Sequence, residues 1–265
     1  MRRNGPLALV FHALFMAFML APLVVVLLVA FTPDGYLSLP VHGPSLRWFR
    51  AIGDNPEFIS SFWISIRLGL AAATLAAIVV LPGALALGRS RFRGRESILA
   101  LVMSPLMVPA VVLGVGLLRF LTMLGIEGTF FGLVLCHAVV VGPYVLRMVL
   151  ASVAGLDANL DRAAISLGAS PLRAFWRVTV PGLLSGLIGG WILAFVTSFD
   201  ELTVTVFVSS PQVTPLPLRL FSHIAETTDP LVASVSVIIM GLTTVLLILL
   251  DWLYGVDRLF SAGRR

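Results

Sequence analysis

The chain has 265 residues, 58% hydrophobic and only 12% charged, with a mean hydropathy of +1.03; this excludes an ordinary soluble domain and indicates a polytopic membrane protein. All 18 basic residues are arginine, and without lysine the chain can build neither a Walker A phosphate loop nor a lysine Schiff base. Its net charge of +5 collects at the ends of apolar stretches, which topology explains better than a nucleic-acid partner.

The first apolar run, Leu7 to Phe31, exceeds both a signal-peptide core of ~7–15 residues and the ~20 residues a span requires, so it reads as an uncleaved first span. Thr32 to Glu57 is rich in proline, glycine and polar residues and holds Trp48, which reads as an interfacial anchor. A second span, 62–88, lies in an over-long apolar stretch stopped by four arginines between Arg89 and Arg95. The third, 98–121, contains Pro105 and Pro109 and should kink there; the fourth, 130–150, has a second predicted break at Gly142-Pro143.

The segment 157–182 is polar yet reads as helix. Ala163 and Ala164 favour helix, Gly168 suits a left-handed residue past a helix end, and Ser170-Pro171 supplies an N-cap and a proline for the first turn of a second helix. That second helix carries Leu172, Phe175, Trp176 and Thr179 on one side and is expected to end at Pro181. Two short helices with an aromatic face suit docking of a partner protein. A fifth span, 183–208, a loop with four prolines between Ser209 and Pro230, and a sixth span, 231–253, complete a single transmembrane domain over 1–265.

Arginine placement sets the orientation. Arg2, Arg3, the run 89–95, Arg162, Arg173, Arg177, Arg258, Arg264 and Arg265 fall on one side, against Arg47, Arg50 and Arg219 on the other. Both termini and the 157–182 segment are therefore expected in the cytoplasm. Gly186, Gly189 and Gly190 should let neighbouring helices approach closely. Cys136 sits in an apolar run as a packing residue, and His12, His42, His137 and His223 lack metal-ligand spacing, so no metal site is predicted.

Asp200 and Glu201 lie within the predicted fifth span, where an acid costs at least ~2–3 kcal/mol on insertion scales and must face protein or water. At helical spacing Glu201 shares a stripe with Thr197, Ser198 and Thr205, while Asp200 stands about 100° round the helix. Two readings stay open: a substrate pathway lined by Asp200, Glu201, Thr197 and Thr205, or an ion pair with Arg67, Arg119 or Arg147 that holds helices in register.

Ala163-Ala164, Gly168-Ala169 and Val180-Pro181 form a pattern that resembles the cytoplasmic coupling loop of binding-protein-dependent ABC importer permeases. That family usually has glutamate where this chain has Arg162, so no salt bridge from that glutamate to the ATPase carries over. The stretch Ser45 to Leu68, and Ser198-Phe199-Asp200-Glu201 followed by Leu216-Pro217-Leu218, resemble the spermidine/putrescine-type group. The resemblance implies an all-α fold of six transmembrane helices of the type I importer kind, in the bacterial inner membrane. Its coupling residues would be Ala163, Ala164, Gly168, Ala169, Phe175, Trp176 and Pro181.

The partners implied are a cytoplasmic ABC ATPase dimer, a second and different permease subunit, a periplasmic solute-binding protein and membrane lipid, with no nucleic acid. The chain would bind no cofactor and have no catalytic residue, ATP and Mg²⁺ belonging to the partner ATPase. A polyamine is the solute implied. Import of another small solute (phosphonate, sulfate, iron) and an ion-coupled secondary transporter remain the alternatives.

Overall fold

The computed structural model describes residues 5–157 and 159–254, which are mostly helical, with a lone β-bridge between Ser210 and Val213. The helices in order are α1 (Pro6–Ala30), α2 (Arg47–Ala51), α3 (Pro56–Arg89), α4 (Arg95–Met103), α5 (Ala110–Leu124), α6 (Phe130–Gly155), α7 (Asn159–Ser166), α8 (Pro171–Ala174), α9 (Val180–Phe199), α10 (Thr205–Val208), α11 (Leu216–Glu226) and α12 (Leu231–Tyr254). Among the described residues, four helical stretches are long and apolar enough to cross a membrane: Leu7–Ala30, Pro56–Arg89, Phe130–Gly155 and Pro171–Phe199. The chain separates into two compact units, one formed up to Ser60 together with Arg219–Leu250, the other including Ser61–Leu218.

In the first unit the loop after α1 is organised on Asp34. Ser38 donates to its carboxylate at 2.7 Å, and the Trp48 indole N–H donates to its backbone carbonyl at 3.0 Å. Trp48 is buried, with its one polar atom satisfied by a protein partner. Ser234 of α12 donates to the Ala30 carbonyl at the end of α1, and Arg219 pairs with Glu57 at 2.7 Å.

The second unit is built on α6 against α9. Val141, Val145, Leu146, Val149 and Val153 of α6 meet Leu183 and Ala194 of α9 and the alanine-rich face of α3. Gly186 makes the approach feasible, since a Cβ there would stand 2.6 Å from the Met148 carbonyl oxygen and closer still to the Ser152 hydroxyl.

Three proline expectations differ from the structure. Pro105 and Pro109 break the predicted span 98–121 instead of bending it: α4 passes through a 3₁₀ turn, Ser104–Leu106, and α5 restarts after Pro109 at 103° to it. Two missing amide donors within five residues remove enough of the ladder to release the chain. Conversely, α6 runs unbroken through Gly142-Pro143, both buried, where a single carbonyl has lost its donor and the flanking Val141 and Val145 are packed in the core.

Pro181 does not end the helix that begins at Pro171, which continues to Phe199. The intervening turn, Phe175–Thr179, is π-helical, and the Val180 amide reaches back to the Phe175 carbonyl. The widened turn re-registers the ladder around a residue that has no amide to offer.

Candidate functional site

The predicted span 183–208 is interrupted. Helix α9 stops at Phe199, Asp200 occupies its C-cap at φ −94° and ψ 0°, and helix resumes only at α10. Glu201 therefore does not continue a helical stripe with Thr197 and Ser198. Its carboxylate accepts a 2.7 Å hydrogen bond from the Val204 amide, capping the turn that leads into α10. Thr205 is fully buried, with its hydroxyl donating to the Glu201 carbonyl at 2.7 Å.

Asp200 is exposed, while Thr197 and Glu201 are half-buried. Arg67, Arg119 and Arg147 are exposed, and among the described residues no ion pair joins any of them to either acid. The Arg67 guanidinium instead donates to the Trp63 carbonyl at 3.2 Å. The ion-pair reading loses its support.

An aromatic file leads along α9 to this break. Trp191 and Phe195 stack at 6.0 Å between centroids, Phe195 and Phe199 follow at 6.2 Å, and Phe62 of α3 meets Phe199 edge-on at 6.2 Å. Spacing of four residues puts all three α9 rings on one helix face. A row of π-faces can attract a cation through the ring quadrupole, and the residue after the last ring, Asp200, is an exposed carboxylate.

Sequence reasoning passed over His137. It lies fully buried on α6, its Nδ1 2.8 Å from the Ser198 hydroxyl and its Nε2 3.0 Å from the Thr205 hydroxyl. The single Thr205 proton is committed to the Glu201 carbonyl, so Nε2 donates to Thr205. A polar ring within an apolar run was the available signal, and judging it by metal-ligand spacing alone missed it.

The 157–182 segment folds as two helical pieces about Gly168, at φ +90°, and the Ser170 hydroxyl accepts from the Arg173 amide at 3.3 Å. Ala163, Gly168 and Pro181 are exposed, Ala164 and Ala169 half-buried, and half-buried Phe175 meets Trp176 edge-on at 5.2 Å. Leu167, Leu172 and Trp176 are 89%, 69% and 60% exposed, a large apolar display for a polar segment. A residue not singled out from sequence, Asp161, anchors the element by pairing with Arg89 and accepting from Thr179 at 2.7 Å.

This arrangement has known counterparts. The family described as "Binding-protein-dependent transport system inner membrane component" matches residues 80–256. The spermidine/putrescine transport system permease protein PotC of Haemophilus influenzae is 32% identical, over 88% of this chain and 90% of its own length. The putrescine transport system permease protein PotI of Escherichia coli is 29% identical, over 90% and 87%. A crystal structure of a bacterial ABC transporter involved in the import of the acidic polysaccharide alginate superposes with a TM-score of 0.74 at 16% identity, covering 96% of this chain and 100% of that one. The chain therefore belongs to the binding-protein-dependent transport system inner membrane components: it is a non-enzymatic, multi-pass permease subunit of an ABC importer, served by a separate ATPase and a solute-binding protein.

Proposed function

We propose that this permease carries a polyamine, and that the Asp200 carboxylate is the group its ammonium meets. The observation that carries the reading is the break after Phe199, which leaves Asp200 as an exposed carboxylate at the C-cap of the helix that carries the aromatic file while committing Glu201 to a helix cap. An ionised carboxylate near membrane depth must face water or a partner charge. A cationic amine satisfies it, with cation–π attraction to Trp191, Phe195 and Phe199 in support. A sulfate or phosphonate would meet like charge there and fits less well.

In this reading α12 and the bent α4–α5 pair complete six spans, both termini are cytoplasmic, and a second, different permease subunit closes the pathway within the lipid. Helices α7 and α8 dock on a cytoplasmic ATPase dimer through Ala163, Ala164, Gly168, Ala169, Phe175 and Trp176, with ATP and Mg²⁺ held there. Pro181 shapes the π-helical transition into the fifth span. ATP-driven closure of that dimer moves the coupling element and rocks the spans.

The test is uptake of labelled spermidine by the complete transporter in proteoliposomes. Asp200→Asn is expected to raise the apparent KM about tenfold or more, the scale of a lost charge-assisted hydrogen bond. Unchanged uptake by that variant would overturn the assignment of Asp200.

A further inference from the structure

We propose that His137 is a positioning residue for cargo recognition, setting where the Asp200 carboxylate stands by bridging both sides of the break in the fifth span. The proposal rests on the reading of Asp200 given above.

The imidazole holds one hydroxyl from each side of the interruption. Ser198 belongs to the last turn of α9 and Thr205 to the first of α10. Between them the chain lacks a regular helical ladder. The Asp200 amide still reaches Val196, but the Glu201 amide contacts Ser198 only at 3.4 Å, and the Val204 amide is capped by a side chain. Backbone bonding thus leaves the turn under-determined, and side chains supply the rest.

Both arms of the bridge land beside Asp200. One ends on Ser198, two residues before it. The other runs from Nε2–H to the Thr205 hydroxyl and on to the carbonyl of Glu201, the next residue. These are buried bonds, with His137, Ser198 and Thr205 at 0%, 2% and 0% exposure, so solvent cannot replace them when the ring is lost. His137 itself is anchored in α6, the most buried helix of its unit, and so refers the Asp200 turn to the rigid part of the bundle.

The experiment is a double-mutant cycle on the complete transporter in proteoliposomes, with labelled spermidine delivered by the binding protein. His137→Leu is expected to raise the apparent KM roughly tenfold, with kcat and basal ATPase changed by less than about twofold. His137→Gln, which keeps an amide donor for Thr205, should recover part of the loss. In an Asp200→Asn background, His137→Leu should have no further effect on KM. A KM shift of equal size in both backgrounds, or none in either, would overturn the proposal while leaving Asp200 in place. Should His137→Leu fail to assemble, the same cycle with His137→Gln decides. If Asp200→Asn alone leaves uptake unchanged, the reading of the site falls, and the proposal with it.

Discussion

Asp161 accepts a 2.7 Å hydrogen bond from the hydroxyl of Thr179, eighteen residues further along, while its other oxygen meets the Arg89 guanidinium. One carboxylate thereby ties α7 to the end of α3 and to the π-helical turn that leads into α9. A force on α7 has a direct polar route into two membrane helices. Asp161→Asn keeps an acceptor for Thr179 but loses the charge partner of Arg89. ATP-driven uptake is expected to fall severalfold while ATP hydrolysis by the assembled complex persists. Hydrolysis and uptake falling in equal proportion would show that Asp161 does not transmit motion.

Gly168 sits at φ +90° with open space where a Cβ would lie. Gly168→Ala therefore costs only backbone strain, of order 1–2 kcal/mol, and the protein should still reach the membrane. The helix pair about it would tilt, and ATP-dependent uptake should fall. Full uptake by Gly168→Ala would mean the left-handed turn is dispensable for coupling.

Gly186 behaves in the opposite way, because its added Cβ would meet the Met148 carbonyl and the Ser152 side chain. Gly186→Val should lower the Tm of the purified permease by several degrees or prevent its accumulation. Gly83→Ala, whose Cβ would meet nothing within 4 Å in the interior of α3, is the contrasting case and should hold or raise Tm.

Asp200 and Glu201 should separate under neutral substitution. Glu201→Gln retains an oxygen for the Val204 amide and should leave stability and uptake close to normal, whereas Glu201→Ala loses the cap, about 1 kcal/mol. Phe199→Leu, which removes the last ring of the α9 file, should raise the KM for spermidine a few-fold, and Phe199→Tyr should not. Thermal unfolding alongside transport distinguishes the two roles.

Hydropathy located the apolar helices where no break interrupts them: the predicted 7–31 and 130–150 fall on the helices Pro6–Ala30 and Phe130–Gly155. It misjudged prolines, whose effect depends on what holds the helix around them. Pro143 is clamped by packing, Pro181 is absorbed by a π turn, and Pro105 with Pro109 has no such support. The end of α9 at Phe199 was hidden because Asp200 to Thr205 keeps helical periodicity while the Glu201 carboxylate accepts from the Val204 amide instead. His137 stood out as a polar ring in an apolar run, but its partners did not, since they lie 61 and 68 residues away, beyond any local pattern. Thr205, expected on the pathway, proved to be part of that buried network.

The most direct test of the central claim is purification of this chain with its partners from native membranes, followed by solute uptake in proteoliposomes. The account predicts recovery of a P-loop ATPase and a second permease subunit, and ATP-dependent accumulation of labelled spermidine whose apparent KM rises about tenfold in Asp200→Asn. Uptake of an anion instead, indifferent to Asp200 and unaffected by excess spermidine, would contradict it.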